Sequence, residues 1–445
     1  MRRVAPAVRV CQNRVHTQLK MPELPRTIER DVLPNGLTVI TEPMPHVRSV
    51  SVGVWLRAGS RREPADRAGL SHFIEHMVFK GTERRTAEQI AREMDSIGGL
   101  LDAFTEKEIV CFNAKVLDEH LPIGFDLLAD LVLRPRFDEE ELQREKQVVL
   151  EEIRMEEDNP EYVVHEIFTQ GFWPDHSLGR PILGTPESVS AFTRAALCEE
   201  FRSAYAPNNA IITAAGRIEH ARLVDLAMRE FGSSSSVAQP PVDPPPRPAP
   251  ALVSRSKREL GQSHICLGVP SYRLADERRF ALSLLNNVLG GGMSSRLFQN
   301  IRERQGLAYS VFSDVNPYSD TGVLSVYAGT APKTAEQLIR SVLEEFRSLR
   351  DRPLAAEELR RGKDQLKGSL VLSLESTGAR MSQLARHELY FGRFFTVEEL
   401  LASIEAVTAE QIQQIARETF RADRIAAAVV GPPNGFRLTR DLLAS

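Results

Sequence analysis

The sequence predicts an α+β protein made of two tandem homologous domains, each a mainly antiparallel sheet flanked by helices. Two observations predict this architecture. Stretches of alternating apolar and polar residues, typical of half-buried strands, are interleaved with amphipathic helical patterns. A segment rich in serine and proline divides the chain into two parts that repeat the same order of elements. We expect the helices to cover one face of each sheet.

This interpretation divides the chain into four segments. Residues 1–27 form a basic N-terminal tail, residues 28–231 the first domain, residues 232–256 an extended Ser/Pro-rich linker, and residues 257–445 the second domain. The first twenty residues of the tail contain five basic residues and no acid, which fits a targeting segment as well as an unstructured tail. The basic residues are Arg2, Arg3, Arg9, Arg14 and Lys20.

The two domains show the same pattern. In the first, the alternating stretch LLDAFTEKEIVCFNAKV is followed by the helical patterns HLPIGFDLLADLVLRP and FDEEELQREKQVVLEEIRM. In the second, GLAYSVFS and GVLSVYAG precede TAEQLIRSVLEEFRSL and LAAEELRRGKDQLKGSLVL. Each domain then ends in a helix and an apolar strand. This agreement predicts an internal duplication.

Composition limits the function classes. The 445 residues are 42% hydrophobic and 26% charged, which is typical of a globular protein and excludes a disordered chain. A net charge of -4 gives no basic field for nucleic acid or an anionic membrane, so we expect neither as a partner. No apolar stretch approaches the roughly 18 residues of a spanning helix. The four cysteines stand singly, which favours a reducing compartment.

The segment GLSHFIEHMVFK, residues 69–80, carries the chemistry. Its apolar residues recur at i, i+3, i+4 and i+7 and predict one buried stripe of a helix. His72, Glu75 and His76 then lie together on the other side. Two imidazoles one turn apart can share a metal ion, and a carboxylate between them can move a proton, as in an H-x-x-E-H zinc site. The alternative is a solvated helix face that happens to contain two histidines.

A catalytic zinc site needs a third protein ligand, and the helix predicted over residues 141–154 offers it. Helical periodicity places Glu145 and Glu152 at the edge of its buried stripe, whereas Glu151 points away. Glu152 is therefore the better ligand candidate, with Glu145 as a supporting or proton-handling acid. The alternative is an exposed acidic helix.

From about Asn35 onward, the chain resembles the pitrilysin-type (inverzincin) zinc metallopeptidases. It is most similar to the branch of the mitochondrial processing peptidase beta subunit and its bacterial relatives. His72, Glu75 and His76 match the family's H-x-x-E-H, Glu152 its distal zinc ligand, and Glu145 its helper acid. The resemblance implies two tandem homologous domains, one Zn²⁺ per chain and endopeptidase activity on unfolded or extended polypeptides.

The same resemblance implies further site residues. Arg302 and Tyr309 match a family pair that contacts the substrate backbone and the developing oxyanion, although a surface arginine and a packed tyrosine are the alternative. Ala103, Phe104 and Thr105 match an edge strand that pairs with an extended substrate. Glu166 matches an acid that favours arginine near the cleaved bond, with a solvated acidic loop as the alternative.

Partners and location follow less directly. A homodimer is expected because one chain carries both half-sites, with a companion subunit as an alternative. A non-catalytic or partner-dependent subunit is the rival function, since the family contains subunits without zinc. The excess of arginine over lysine, with abundant alanine and proline, is typical of a GC-rich bacterial genome and favours the bacterial cytoplasm over the mitochondrial matrix.

Overall fold

A computed structural model of the chain describes residues 27–234, 244–433 and 436–444. The basic tail predicted for residues 1–27 lies outside these ranges except for Thr27. Within the described ranges, no helix combines the length and the apolar character that crossing a bilayer demands.

The first half is built around a six-stranded sheet of order β1-β2-β6-β3-β5-β4. Four of its neighbouring strand pairs are antiparallel, and β2 pairs with β6 in parallel. The strands are β1 (Glu29–Val32), β2 (Thr38–Pro43), β3 (Ser49–Leu56), β4 (Leu100–Thr105), β5 (Val110–Leu117) and β6 (Ala210–Gly216).

Eight α-helices within the described residues belong to this half. They are α1 (Leu70–Val78), α2 (Ala87–Ser96), α3 (Leu121–Leu133), α4 (Glu139–Asp158), α5 (Pro160–Phe172), α6 (Pro186–Ala191), α7 (Arg194–Ala204) and α8 (His220–Phe231). The first turn of α4 is acidic, which suits the positive end of the helix dipole. α1 and α3 pack their apolar residues against one face of the sheet.

The second half repeats this plan. Its sheet has the order β7-β11-β8-β10-β9, which reproduces β2-β6-β3-β5-β4, including the parallel pair at the start. The strands are β7 (Leu252–Ser256), β8 (Ser263–Ser271), β9 (Ala308–Pro317), β10 (Gly322–Thr330) and β11 (Ala426–Gly431). The helices are α9 (Arg279–Gly290), a π-helical segment (Phe298–Arg304), α10 (Ala335–Asp351), α11 (Ala356–Ser373), α12 (Thr377–Tyr390), α13 (Val397–Glu405), α14 (Ala409–Thr419) and α15 (Arg440–Ala444).

One helix of each half packs on the sheet of the other half. α12 lies on the outer face of the first sheet, where Met381, Leu384 and Ala385 join a cluster around Trp55. α5 covers the second sheet in the same way, through Val164, Phe168 and other apolar residues. The expectation that helices cover only one face of each sheet was therefore wrong. The expectation failed because the helix on the second face of each sheet comes from the other half of the chain.

The segment predicted as a linker is shorter than residues 232–256. Its last five residues, Leu252–Ser256, form β7, which pairs in parallel with β11. Residues 235–243 of the segment lie outside the described ranges, and residues 244–250 have no regular secondary structure. The second sheet therefore begins at residue 252 instead of after the linker, because β7 supplies the edge next to β11.

Candidate metal centre

The helix that carries the predicted metal ligands starts at a tightly packed glycine. Gly69 has a φ of 92°, and a Cβ at this position would lie 2.7 Å from the carbonyl oxygen of Leu183. From there, α1 turns Leu70, Phe73 and the rest of its apolar stripe into the core of the first half. The opposite side presents the predicted polar residues to α4, as expected from the helical period.

Three side chains converge between α1 and α4. One ligand atom from each of His72, His76 and Glu152 lies within 4.8 Å of the other two. The carboxylate of Glu152 lies between the rings, with Oε1 at 3.7 Å from Nε2 of His72 and Oε2 at 3.5 Å from Nε2 of His76. The three predicted ligands are therefore neighbours, although 75 residues lie between the last histidine and the glutamate.

The donor set fits a zinc ion. Two imidazole nitrogens and one carboxylate, with a further position open, are the ligands of a catalytic zinc site. Oε2 of Glu152 and Nδ1 of His72 are buried and have no hydrogen-bond partner among the described residues. Burial and the neighbouring His76 lower the pKa of His72 to about 3. The ring is therefore neutral, as a metal ligand must be.

Glu145 fixes the orientation of His76, one of the three predicted ligands. Its Oε1 lies 2.9 Å from Nδ1 of His76, and its Oε2 accepts a hydrogen bond from Nζ of Lys80 at 2.7 Å. Burial raises the pKa of this carboxyl group, but the hydrogen bonds to His76 and Lys80 outweigh burial and leave it below its usual value. An ionised Glu145 holds a proton on Nδ1 of His76, which leaves Nε2 free to bind a metal.

Glu75 faces the same cluster and is held by the edge strand. The hydroxyl of Thr105, at the end of β4, donates a hydrogen bond of 2.6 Å to its Oε2. Burial raises the pKa of Glu75 above its ordinary value. β4 is the last strand in the order of its sheet, so the outer edge of Ala103, Phe104 and Thr105 has no neighbouring strand among the described residues.

Glu166 lies further from the cluster and lines a cavity of about 610 Å³ between the halves. Its Oε2 has no hydrogen-bond partner among the described residues. Burial raises the pKa of Glu166, while the charge of Lys107 opposes that shift. Phe312 and Asp314 of β9 form part of the opposite wall.

Arg302 and Tyr309 form a pair of their own in the second half. The guanidinium carbon of Arg302 lies 4.8 Å from the ring centroid of Tyr309, and 80% of Tyr309 is exposed. Among the described residues, no hydrogen bond or ion pair joins either one to the His72 cluster. The structure thus brings these two residues together but does not connect them to the cluster.

Known proteins are similar to this chain over nearly its whole length. Residues 38–186 match the family described as "Insulinase (Peptidase family M16)", and residues 191–366 match "Peptidase M16 inactive domain". The uncharacterized zinc protease YmxG of Bacillus subtilis is 42% identical over 405 residues, which cover 91% of this chain and 98% of that protein. The chain belongs to peptidase family M16. An uncharacterized zinc protease of Mycobacterium tuberculosis is also 42% identical, over 92% of this chain and 94% of its own.

Solved structures share the fold of this M16 chain. A protease from Helicobacter pylori superimposes with a TM-score of 0.87 at 23% identity, covering 92% of this chain and all of its own. A peptidase M16 inactive domain from Pseudomonas fluorescens gives 0.85 at 20% identity, covering 91% and 98%. The family resemblance and the two-domain α+β fold inferred from the sequence are therefore confirmed.

Two contacts of the M16 site were not foreseen. Lys80 follows His76 by four residues, about one helical turn, so both side chains point the same way. This spacing could have indicated that Lys80 also contacts Glu145. Thr105 was predicted to contact substrate, but its bond to Glu75 was not, because nothing in the sequence shows that the end of β4 reaches α1.

Proposed function

We propose that this chain is a zinc metalloendopeptidase that hydrolyses peptide bonds of unfolded or extended polypeptides. The observation that carries the proposal is the convergence of His72, His76 and Glu152 beside Glu75. The names of the M16 relatives as zinc proteases support it.

In this proposal His72, His76 and Glu152 hold one zinc ion per chain. A zinc ion held there would supply the Lewis acid that polarises the scissile carbonyl and activates a water molecule. Glu75 accepts the proton released by the water and delivers it to the leaving nitrogen. The hydroxyl of Thr105 keeps that carboxylate in place, 2.6 Å away. Glu145 holds the ring of His76.

The substrate would bind as an added strand. The free edge of β4 can pair with an extended main chain at Ala103, Phe104 and Thr105, which gives affinity with little sequence preference. Glu166 would supply a modest preference for arginine, because an acid with an unpartnered oxygen suits a guanidinium group.

The second half would contribute to the reaction as well as to the fold. Arg302 and Tyr309 would contact the substrate backbone and the oxyanion, where hydrogen-bond donors act most strongly on the transition state. We further propose that the chain works as a homodimer in the bacterial cytoplasm, in keeping with its bacterial relatives.

A non-catalytic or partner-dependent subunit is the second candidate. The observation that favours it is the match of residues 191–366 to a domain described as inactive. The ligand set in the first half favours the enzyme, because a subunit used only for assembly has no need of three converging ligands.

Two adjacent glutamates give a matched test. Glu152 faces the histidines, whereas the side chain of Glu151 is 68% exposed. The purified full chain would be assayed on quenched unstructured peptides, with and without arginine near the cleaved bond, beside Glu75→Gln, Glu152→Gln and Glu151→Gln. Bound zinc would be measured in each.

We expect wild type and Glu151→Gln to bind zinc and cleave. Glu75→Gln should bind zinc without cleaving, and Glu152→Gln should lose both properties. A chelated wild type should recover cleavage when zinc is added. Zinc-loaded wild type that cleaves no peptide would contradict the proposal and favour the partner-dependent subunit.

A further inference from the structure

The segment before the metal helix lies against the turn between β4 and β5. Ser60–Arg62 forms a short 3₁₀ helix, and the amide of Arg61 donates to the carbonyl oxygen of Lys107 at 2.8 Å. Gly59 has a φ of 124°, and a Cβ there would lie 2.5 Å from the carbonyl oxygen of Glu106. This packing leaves the segment little freedom to shift on its own.

Arg61 joins this segment to the second half of the chain. Its guanidinium group is 6% exposed and forms two parallel hydrogen bonds to Asp320, of 2.8 and 2.7 Å. It also donates to Glu108 at 2.7 Å, and Glu108 in turn accepts from the amide and hydroxyl of Ser319. Ser319 and Asp320 form the turn between β9 and β10. A paired, buried arginine therefore connects that turn to the first half.

Glu63, two residues after Arg61, holds the start of the metal helix. It is 4% exposed, and its two carboxylate oxygens accept hydrogen bonds from the backbone amides of Gly69, at 2.8 Å, and Ser71, at 2.6 Å. Gly69, at the N-cap position of α1, has no side chain to fill this role. The carboxylate thus satisfies free amides at the positive end of the helix, next to His72.

We propose that Arg61 and Glu63 are positioning residues that couple the β9–β10 turn of the second half to the metal helix. Asp320 then influences zinc affinity from the second half, without touching a ligand. The physical reason is that Arg61 and Glu63 are separated by one residue of a packed 3₁₀ segment. A displacement of Arg61 therefore shifts the carboxylate that fixes α1. This inference rests on the zinc site of the proposed function.

The chain offers a matched control. Arg30 of β1 binds Glu388 of α12 through two parallel contacts, of 2.8 and 3.1 Å, and so also joins the two halves. β1 lies at the opposite edge of the first sheet from β4. Glu388→Gln therefore weakens another ion pair between the halves, one whose arginine is more exposed than Arg61 and which does not lead to α1.

The test uses the full chain. Zinc affinity is measured by competition with a chromophoric chelator, and the ligand geometry by the visible spectrum of the Co²⁺-loaded protein. We expect zinc affinity to fall roughly tenfold in Glu63→Gln and about threefold in Asp320→Asn, with an altered Co²⁺ spectrum in both. Glu63→Asp should recover part of the loss, and Glu388→Gln should match wild type.

A double variant tests the connection itself. If both residues act through one path, Glu63→Gln with Asp320→Asn should bind zinc as Glu63→Gln alone does. Independent losses that multiply would overturn the coupling, as would an Asp320→Asn variant that matches Glu388→Gln. Those results would leave the peptidase proposal intact, provided that wild type binds zinc and cleaves. A wild type that binds no zinc would overturn both proposals.

Discussion

The two halves of the chain share one architecture but differ at one pair of helices. α1 follows β3 in the first half, as α9 follows β8 in the second, and each precedes the two strands at the far edge of its sheet. α1 turns His72, Glu75 and His76 toward α4. The corresponding helix α9 instead buries leucines, among them Leu282 and Leu285.

The partner helices differ in the same way. α4 places Glu145 and Glu152 against α1, whereas α11 packs on α9 through Gly362. A Cβ at Gly362 would lie 3.0 Å from Leu284, and its carbonyl oxygen accepts a hydrogen bond from Asn287 at 3.0 Å. In the second half, α9 and α11 therefore pack directly on each other, whereas in the first half polar side chains lie between α1 and α4. The shared fold therefore tolerates either arrangement of the helix pair, and a few side chains decide whether that pair can bind a metal ion.

The largest effect is expected when the polar residues of α1 are replaced by residues like those of α9. The variant His72→Leu, Glu75→Leu, His76→Asn should lose zinc binding and all peptidase activity. Without metal, it should be about 1–2 kcal/mol more stable than wild type, because leucine replaces the buried His72 and the half-buried Glu75. Urea unfolding of both chains in chelator measures the difference. If the variant is the less stable chain, the polar cluster is already well compensated without metal.

The sequence was most informative for the candidate site residues whose relative positions follow from the period of a helix. The spacing of His72, Glu75 and His76, and the inward side of Glu152, follow from 3.6 residues per turn, which needs no tertiary structure. The duplicated order of elements likewise predicted two equivalent sheets. Roles of these residues in catalysis stay a prediction.

Other features depend on distant parts of the chain. The amphipathic patterns of α5 and α12 show that each helix is buried on one side, but not that each covers the other half's sheet. The sequence of β7 within a Pro-rich segment gives little strand signal, and its partner β11 lies far along the chain. Glu63 precedes α1 at no standard capping position, so its role was invisible before the fold was known.

A second test asks whether Glu145, the acid behind His76, is needed for zinc binding by the first half. Glu145→Gln should weaken zinc binding about 10- to 100-fold, since an amide holds the ring of His76 less firmly than a carboxylate does. Glu141→Gln is the control, because Glu141 lies one turn earlier on α4 and pairs with Arg144 at the surface. Chelator competition measures both. Equal zinc affinities in the two variants would show that Glu145 serves only the folded structure.

The smallest expected effect concerns what the second half adds to catalysis. Tyr309→Phe should lower kcat and kcat/KM together by about tenfold, because the phenol would donate a hydrogen bond only in the transition state. Zinc affinity should not change. Stability should stay within about 0.5 kcal/mol, since the side chain is 80% exposed and Phe keeps the ring beside Arg302.

Steady-state kinetics on one quenched peptide, together with thermal unfolding, separates these possibilities. Arg302→Gln should give a similar loss of kcat, whereas Arg304→Gln is the control, because Arg304 lies on the same segment and bonds to Asn300. Unchanged kinetics in Tyr309→Phe and Arg302→Gln would restrict the second half to a structural role. A selective loss of kcat would instead mean that the half without metal ligands supplies transition-state donors to the half that has them, so that the duplicated domains divide one reaction between them.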